Sequence, residues 1–299
     1  MRDEGWVAGL GEVLWDVFPD GARFGGAPAN FACHARSLGA QAAVVSAVGP
    51  DSDVLAQNAL HALSRHQVDT SAVSRSTHET GRVLVDVDSQ GHAEYRFSEN
   101  PAWDFIQWSD AAADIACSTQ AVCFGTLAQR HEVSRSTIGR FLAATPPGAW
   151  RIFDVNLRVS FWSDELIVSS LRQANAVKLN SDELPIVARA SGIQAEGRKA
   201  LAEIREQFDL RLVAYTDGSV GATLGTADEV EFCPAPKVSV RDTVGAGDSY
   251  TAAMTLGLLK GWPLAQINQR AVAVAAYVCT QSGATPELPN EITHWYAQP

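Results

Sequence analysis

The run Asp242-Thr243-Val244-Gly245-Ala246-Gly247-Asp248 places a carboxylate, just after three small residues, at the head of an apolar helical stretch, Ser249 to Lys260. A helix N-terminus leaves backbone N–H groups unpaired and partly positive, a setting suited to phosphate oxygens. Gly245 and Gly247 lack a Cβ, so the chain can bend tightly and a ligand can approach the backbone. A carboxylate beside such a cradle repels a phosphate. It makes sense if it takes a proton from a hydroxyl that then attacks phosphorus, and that chemistry is a kinase's. The other reading of Asp248 is a helix N-cap, because Asp is favoured there and Gly-rich turns commonly precede helices.

A second run, Gly25-Gly26-Ala27-Pro28-Ala29-Asn30, also leads straight into a helical pattern. It is not the G-x-G-x-x-G dinucleotide fingerprint, and no G-x-x-x-x-G-K-[ST] loop occurs anywhere in the chain. On its own it reads equally well as a tight turn with an Asn near a helix start. Asp16 falls in the middle of a strand-like run, where Asp is depleted. A role as acceptor for sugar hydroxyls would explain it.

These residues need a scaffold, and short apolar runs alternate with amphipathic stretches over most of the chain. Strands are expected at Trp6–Gly9, Ala42–Ser46, Ala121–Phe124, Ile152–Val155, Ala176–Leu179 and Leu212–Thr216. Helices are expected at Ala29–Leu38, Val54–Arg65, Ser134–Ala144, Leu166–Ala174 and Ala195–Phe208. Such alternation implies an α/β fold, a mostly parallel sheet covered by helices on both faces, with ligands at the carboxyl ends of the strands. Two hairpins interrupt it, Leu14–Phe18 with Ala22–Gly25, and Arg82–Asp88 with Ala93–Ser98 around Gln90-Gly91. They are expected to form a small second sheet, serving as a lid or an interface.

Composition narrows the partners. The 299 residues carry a formal net charge of −11, which argues against nucleic acid and anionic membranes but not against ATP, whose charge Mg²⁺ and local donors offset. No stretch is apolar enough to span a bilayer, and Met1–Gly5 lacks the basic-then-apolar order of a secretion signal. The five cysteines are scattered, without metal-binding spacing, and read as free thiols of a cytoplasmic protein.

The two glycine-rich runs, in this order and about two hundred residues apart, resemble both signatures of the ribokinase-like (PfkB) carbohydrate kinases. Within that family Gly11-Glu12-Val13-Leu14-Trp15-Asp16, Pro28 and Asp154-Val155-Asn156-Leu157-Arg158 are most similar to bacterial fructokinases. The resemblance implies one three-layer α-β-α domain over residues 1–299, with a β-lid inserted from about 12–26 and 81–107. It implies an ATP- and Mg²⁺-dependent sugar kinase acting on fructose. Asp248 matches the catalytic base, and the amides of Gly245, Ala246 and Gly247 match the anion hole. Arg158 matches a basic position near the reaction centre, and Asp16, Gly25, Gly26 and Asn30 match the sugar site. Asn180 and Glu183 match an N-x-x-E element that orders Mg²⁺ and phosphate largely through water. Thr216, Gly218 and Gly221 match a nucleotide-contacting turn. Asp242, Val244 and Gly283 match a monovalent-cation (K⁺) site, and a homodimer joined through the lid is common among such proteins. In the second lid strand, Tyr95-Arg96-Phe97 leave the sugar's identity open, as does the face of the lid that meets it. Another sugar, a sugar acid or a nucleoside is the alternative acceptor, and a non-catalytic sugar-binding sensor is the alternative of a different class.

Overall fold

The computed structural model describes residues 5–87 and 93–297, so the turn expected around Gln90-Gly91 lies outside it. From the N-terminus come β1 (Trp6–Leu10), β2 (Leu14–Phe18), β3 (Gly21–Gly25), α1 (Ala27–Ser37), β4 (Ala42–Val48), α2 (Val54–Arg65) and β5 (Val73–Arg75). Then follow β6 (Gly81–Val87), β7 (Ala93–Phe97), α3 (Asp110–Ser118), β8 (Thr119–Phe124), α4 (Glu132–Ala144), β9 (Trp150–Asp154), α5 (Asp164–Gln173) and β10 (Ala176–Asn180). The last third contributes α6 (Glu183–Ala190), α7 (Gly197–Gln207), β11 (Leu212–Asp217), β12 (Gly221–Gly225), β13 (Val230–Pro234), α8 (Ala246–Leu259), α9 (Leu264–Cys279) and α10 (Asn290–Ala297).

Nine strands form one sheet in the order β13-β12-β11-β10-β9-β8-β1-β4-β5. From β5 to β11 every pair is parallel; β12 and β13 add an antiparallel edge that the apolar runs did not announce. Period-two alternation splits the strand residues between two cores. Leu10, Val45, Phe124, Phe153, Leu179 and Val213 face one way, toward α3–α7. Val7, Ala42, Cys123, Ile152, Ala176 and Leu212 face the other way, toward α1 and α8–α10. The layers are helix, sheet, helix.

The second sheet, in the order β3-β2-β6-β7, is four-stranded. Val83 and Val85 are buried and join the core that contains Trp103, while Arg82 and Leu84 alternate to the exposed face. Val83 and Val85 therefore pack on their own chain rather than on an exposed face. Phe97 points toward the main body and meets Phe161 edge-on at 5.3 Å, whereas Arg96 lies on the exposed face.

Candidate active site

Both glycine-rich runs become helix N-termini at the carboxyl edge of the large sheet. Gly26 precedes α1 with φ 108°, a conformation closed to branched side chains, and a Cβ there would strike the Glu12 carbonyl oxygen. The backbone of the Glu12 turn requires this glycine, whatever lies on the sugar side. Pro28 stands in the first turn of α1, where its missing N–H costs nothing. Gly245 is the N-cap of α8 in the left-handed region, φ 78°, and a Cβ there would run into the carbonyl of Ala284. That carbonyl accepts from Nε2–H of buried His34 at 2.9 Å, so α1 holds the loop beneath the α8 turn. Burial pushes His34 down to about 4, and the ring is neutral.

The two runs meet side chain to side chain. Asn30 Nδ2 donates to Asp248 Oδ2 at 2.8 Å, across a separation of 218 residues. Asp248 is thus more than a cap: no side-chain cap bond is made at this helix start, and the carboxylate turns toward α1. Of the three amides expected to receive an anion, that of Ala246 already donates to Thr243 O at 3.3 Å, a long bond that an anion would have to replace.

Three carboxyls crowd this edge, and burial acts on all of them. Desolvation, then the nearby Asp154 charge, raise Asp248 to about 6 against the pull of Asn30, Lys178 and Arg158. Asp16, half-buried on β2, is raised to about 6 by burial, with Arg158 and Arg23 opposing. Glu12, fully buried, is raised to about 7, chiefly by burial and further by Asp248. Its Oε1 accepts from Ala27 N at 3.3 Å, and its Oε2 is a buried oxygen with no hydrogen-bond partner. Arg158 is exposed on the loop after β9, and its charge acts on Glu12, Asp16 and Asp248 alike. That loop carries Asn156 and Val159 at φ 41° and 48°, an unfavourable region for the branched Val159.

At the end of β10 the Asn180–Glu183 element is a brace. Asn180 Oδ1 accepts from the amides of Asp182 and Glu183, both at 2.9 Å. Glu183, buried, accepts from Asn180 N and Leu157 N, again at 2.9 Å each, and so ties the Arg158 loop to β10. Thr216 lies one residue before the end of β11 and its carbonyl accepts from Ser181 N at 3.1 Å; Gly218 and Gly221 shape the turn into β12. Asp242 clamps its neighbours, accepting from Val244 N at 3.0 Å and Gly283 N at 3.1 Å, which brings these three residues together. Among the described residues, no group of three or more His, Cys, Asp or Glu side chains could hold a metal ion.

One anchor was not legible in the motifs. Arg130 forks onto Asp104, Nε to Oδ1 and Nη2 to Oδ2 at 2.9 Å each, with Nη2 also donating to Ser98 O at 2.9 Å. Its guanidinium lies 4.2 Å over Trp103 and 4.5 Å over Phe161, so it joins the end of β7 to the Arg158 loop. Arg130→Met should cost about 3–5 kcal/mol in urea unfolding, because Asp104 would be left buried and unpaired. A loss under about 1 kcal/mol would mean the fork behaves like a surface pair.

A parallel sheet with a glycine-led helix start and an ionisable carboxylate at its carboxyl edge suits a phosphotransferase with an alcohol as acceptor. The pfkB family carbohydrate kinase model matches residues 15–291, and the chain belongs to that family of ATP-dependent kinases. It is 31% identical to a fructokinase of Klebsiella pneumoniae over 97% of both chains. Its fold is similar to a Vibrio cholerae fructokinase solved with fructose, ADP and calcium, at 25% identity, 99% of each chain and TM-score 0.80. It is also similar to a Pyrococcus horikoshii sugar kinase solved with ATP, at 27% identity, 93% of this chain and 94% of that one, with TM-score 0.78. No helix among the described residues is long and apolar enough to cross a membrane.

Proposed function

We propose that the chain transfers the γ-phosphoryl group of ATP to D-fructose, yielding fructose 6-phosphate and ADP. The Asn30–Asp248 hydrogen bond carries this reading, since it joins a sugar-side residue to the residue placed beside the phosphoryl cradle. Asp16, Gly25, Gly26 and Asn30 hold the sugar, and the four-stranded sheet closes over it as a lid, excluding water that would otherwise hydrolyse ATP. Thr216, Gly218, Gly221 and Asn180 border the nucleotide. The sugar hydroxyl gives its proton to Asp248 as its oxygen bonds phosphorus, and the bond from the γ-phosphorus to the ADP oxygen breaks with its electron pair leaving on ADP. Amides of Gly245, Ala246 and Gly247 offset the charge on the transferring group, which moves through a loose transition state governed by positioning.

Mg²⁺ would offset phosphate charge when bound. Both oxygens of Glu183 are engaged by backbone amides and the side chain is buried, which fits an outer role, through water held by the ion. Initial rates in potassium against a large organic cation test the site around Asp242, Val244 and Gly283. Equal rates would remove K⁺ from the scheme.

The acceptor is tested by coupled ADP release with fructose, ribose, sugar acids and nucleosides. Fructose is expected to give the highest kcat/KM. A different winner would keep the kinase and replace the sugar. Tight sugar binding with no ADP release from any acceptor would make the chain a sensor.

A further inference from the structure

Lys178, in the middle of β10, and Asp154, at the end of β9, are charged residues of apolar strands, and both alternate onto the face covered by α8. Lys178 Nζ stands 3.0 Å from Asp154 Oδ1, with side chains 8% and 4% exposed. The second carboxylate oxygen accepts from buried Thr251 at 3.0 Å, and that same hydroxyl lies 2.9 Å from the carbonyl of Gly247, one turn back in α8. The ammonium also stands 3.1 Å from where a Cβ on Gly247 would be. Gly247 is therefore a glycine that admits a buried positive charge against the helix start. Burying an ion pair is seldom a net gain over apolar residues of the same volume, so stability does not account for it. Its direction does: the ammonium adds to the partial positive charge of the α8 N-terminus.

We propose that Lys178, held by Asp154, which Thr251 in turn anchors, is the positioning residue of phosphoryl transfer, bracing the Gly245–Gly247 turn from beneath and setting the field at the Asp248 carboxylate. This rests on Asp248 as the proton acceptor. The groups that act on Asp248 are Asp154 from β9, Lys178 from β10, Arg158 from the loop after β9, Glu12 from the turn after β1, neutral Asn30 from α1 and the Cys123 thiol from β8. Burial, then the charge of Asp154, hold that thiol well above its ordinary value, so it stays neutral. For Lys178, burial opposes the charge, but Asp154 and then Glu183 outweigh it and raise the ammonium above its ordinary value.

The two partners act on Asp248 with opposite signs although each variant breaks the same pair. Lys178→Met removes a positive charge, so the acid limb of the kcat–pH profile should move up by about one pH unit. Asp154→Asn removes a negative charge, and the limb should move down. A purely structural pair would move both limbs the same way or neither. The full chain is assayed with ATP and the fastest acceptor of the panel above, beside Asp248→Asn. Lys178→Met should lose about tenfold or more in kcat. Lys178→Met with Asp154→Leu replaces the pair by apolar volume; it should fold, keep its limb near the wild-type position and still lose about tenfold. Wild-type kcat in this double variant, or limbs shifting together in the singles, overturns the inference. If a single variant fails to fold by circular dichroism, kcat of the double variant alone decides between the two outcomes. An active Asp248→Asn would instead remove the proton-acceptor assignment.

Discussion

Asp248→Asn is expected to lower kcat by at least about a hundredfold while ATP affinity and the fold survive. Asparagine keeps the shape of the side chain, and its amide oxygen can still accept from Asn30 Nδ2. What is lost is the basic carboxylate oxygen that takes the hydroxyl proton as the hydroxyl oxygen attacks. General-base catalysis contributes about 10²–10⁴ in rate, and the residual rate would come from the amide cradle and substrate positioning. The wild-type profile supplies an internal control. Burial and the Asp154 charge raise Asp248 to about 6, so kcat should fall as pH drops through 6, and the residual activity of the variant should show no such limb. Steady-state kinetics from pH 5 to 8.5, with nucleotide titration by fluorescence, make the measurement. Near-normal turnover in the variant would leave the hydroxyl proton without its assigned acceptor.

The parallel core was legible because its strands are short apolar runs with helical patterns between them, and the expected strands lie within a few residues of those observed. The antiparallel edge was not. In β13 buried-side and exposed residues alternate weakly, and β12 begins and ends in glycine, so neither has the apolar signature of a central strand. In the site, the sequence singled out residues that sit in motifs and passed over those that only a distant partner marks. Lys178 and Asp154 each lay inside an expected strand, yet the partner of each is 24 residues away and invisible to local pattern. A Lys within an apolar parallel strand was the available signal, because a buried ammonium must find an anion. Glu183 shows the converse: its motif was recognised, but the structure spends both its oxygens on backbone amides. Arg130 had no signal at all, since Arg beside polar residues after a strand reads as solvated.

Glu12→Gln is expected to leave the protein more stable than wild type at pH 8 by about 3 kcal/mol relative to their difference at pH 5, from a rise of about two and a half pH units at roughly 1.4 kcal/mol each. Glu12 is raised from 4.5 to about 7 by burial. Between those values the folded state holds a proton that the unfolded chain has released. Stability therefore falls as pH rises through this window, and the loss is complete above 7. Glutamine keeps the Oε1 acceptor used by Ala27 N and cannot ionise. Its Nε2 would bring a buried donor to the place where Oε2 has no partner, a cost equal at both pH values, so the pH dependence of the difference is what isolates the carboxyl. Comparing the two proteins also cancels His34, which is lowered to about 4 and whose contribution is lost as pH falls below 6.5. The instability is the counterpart of the site's chemistry, since carboxyls kept from water at one strand edge disfavour their charged forms. A wild-type-to-variant difference that stays constant from pH 5 to 8 would put Glu12 in the ordinary carboxyl range and remove desolvation as the force that tunes this edge.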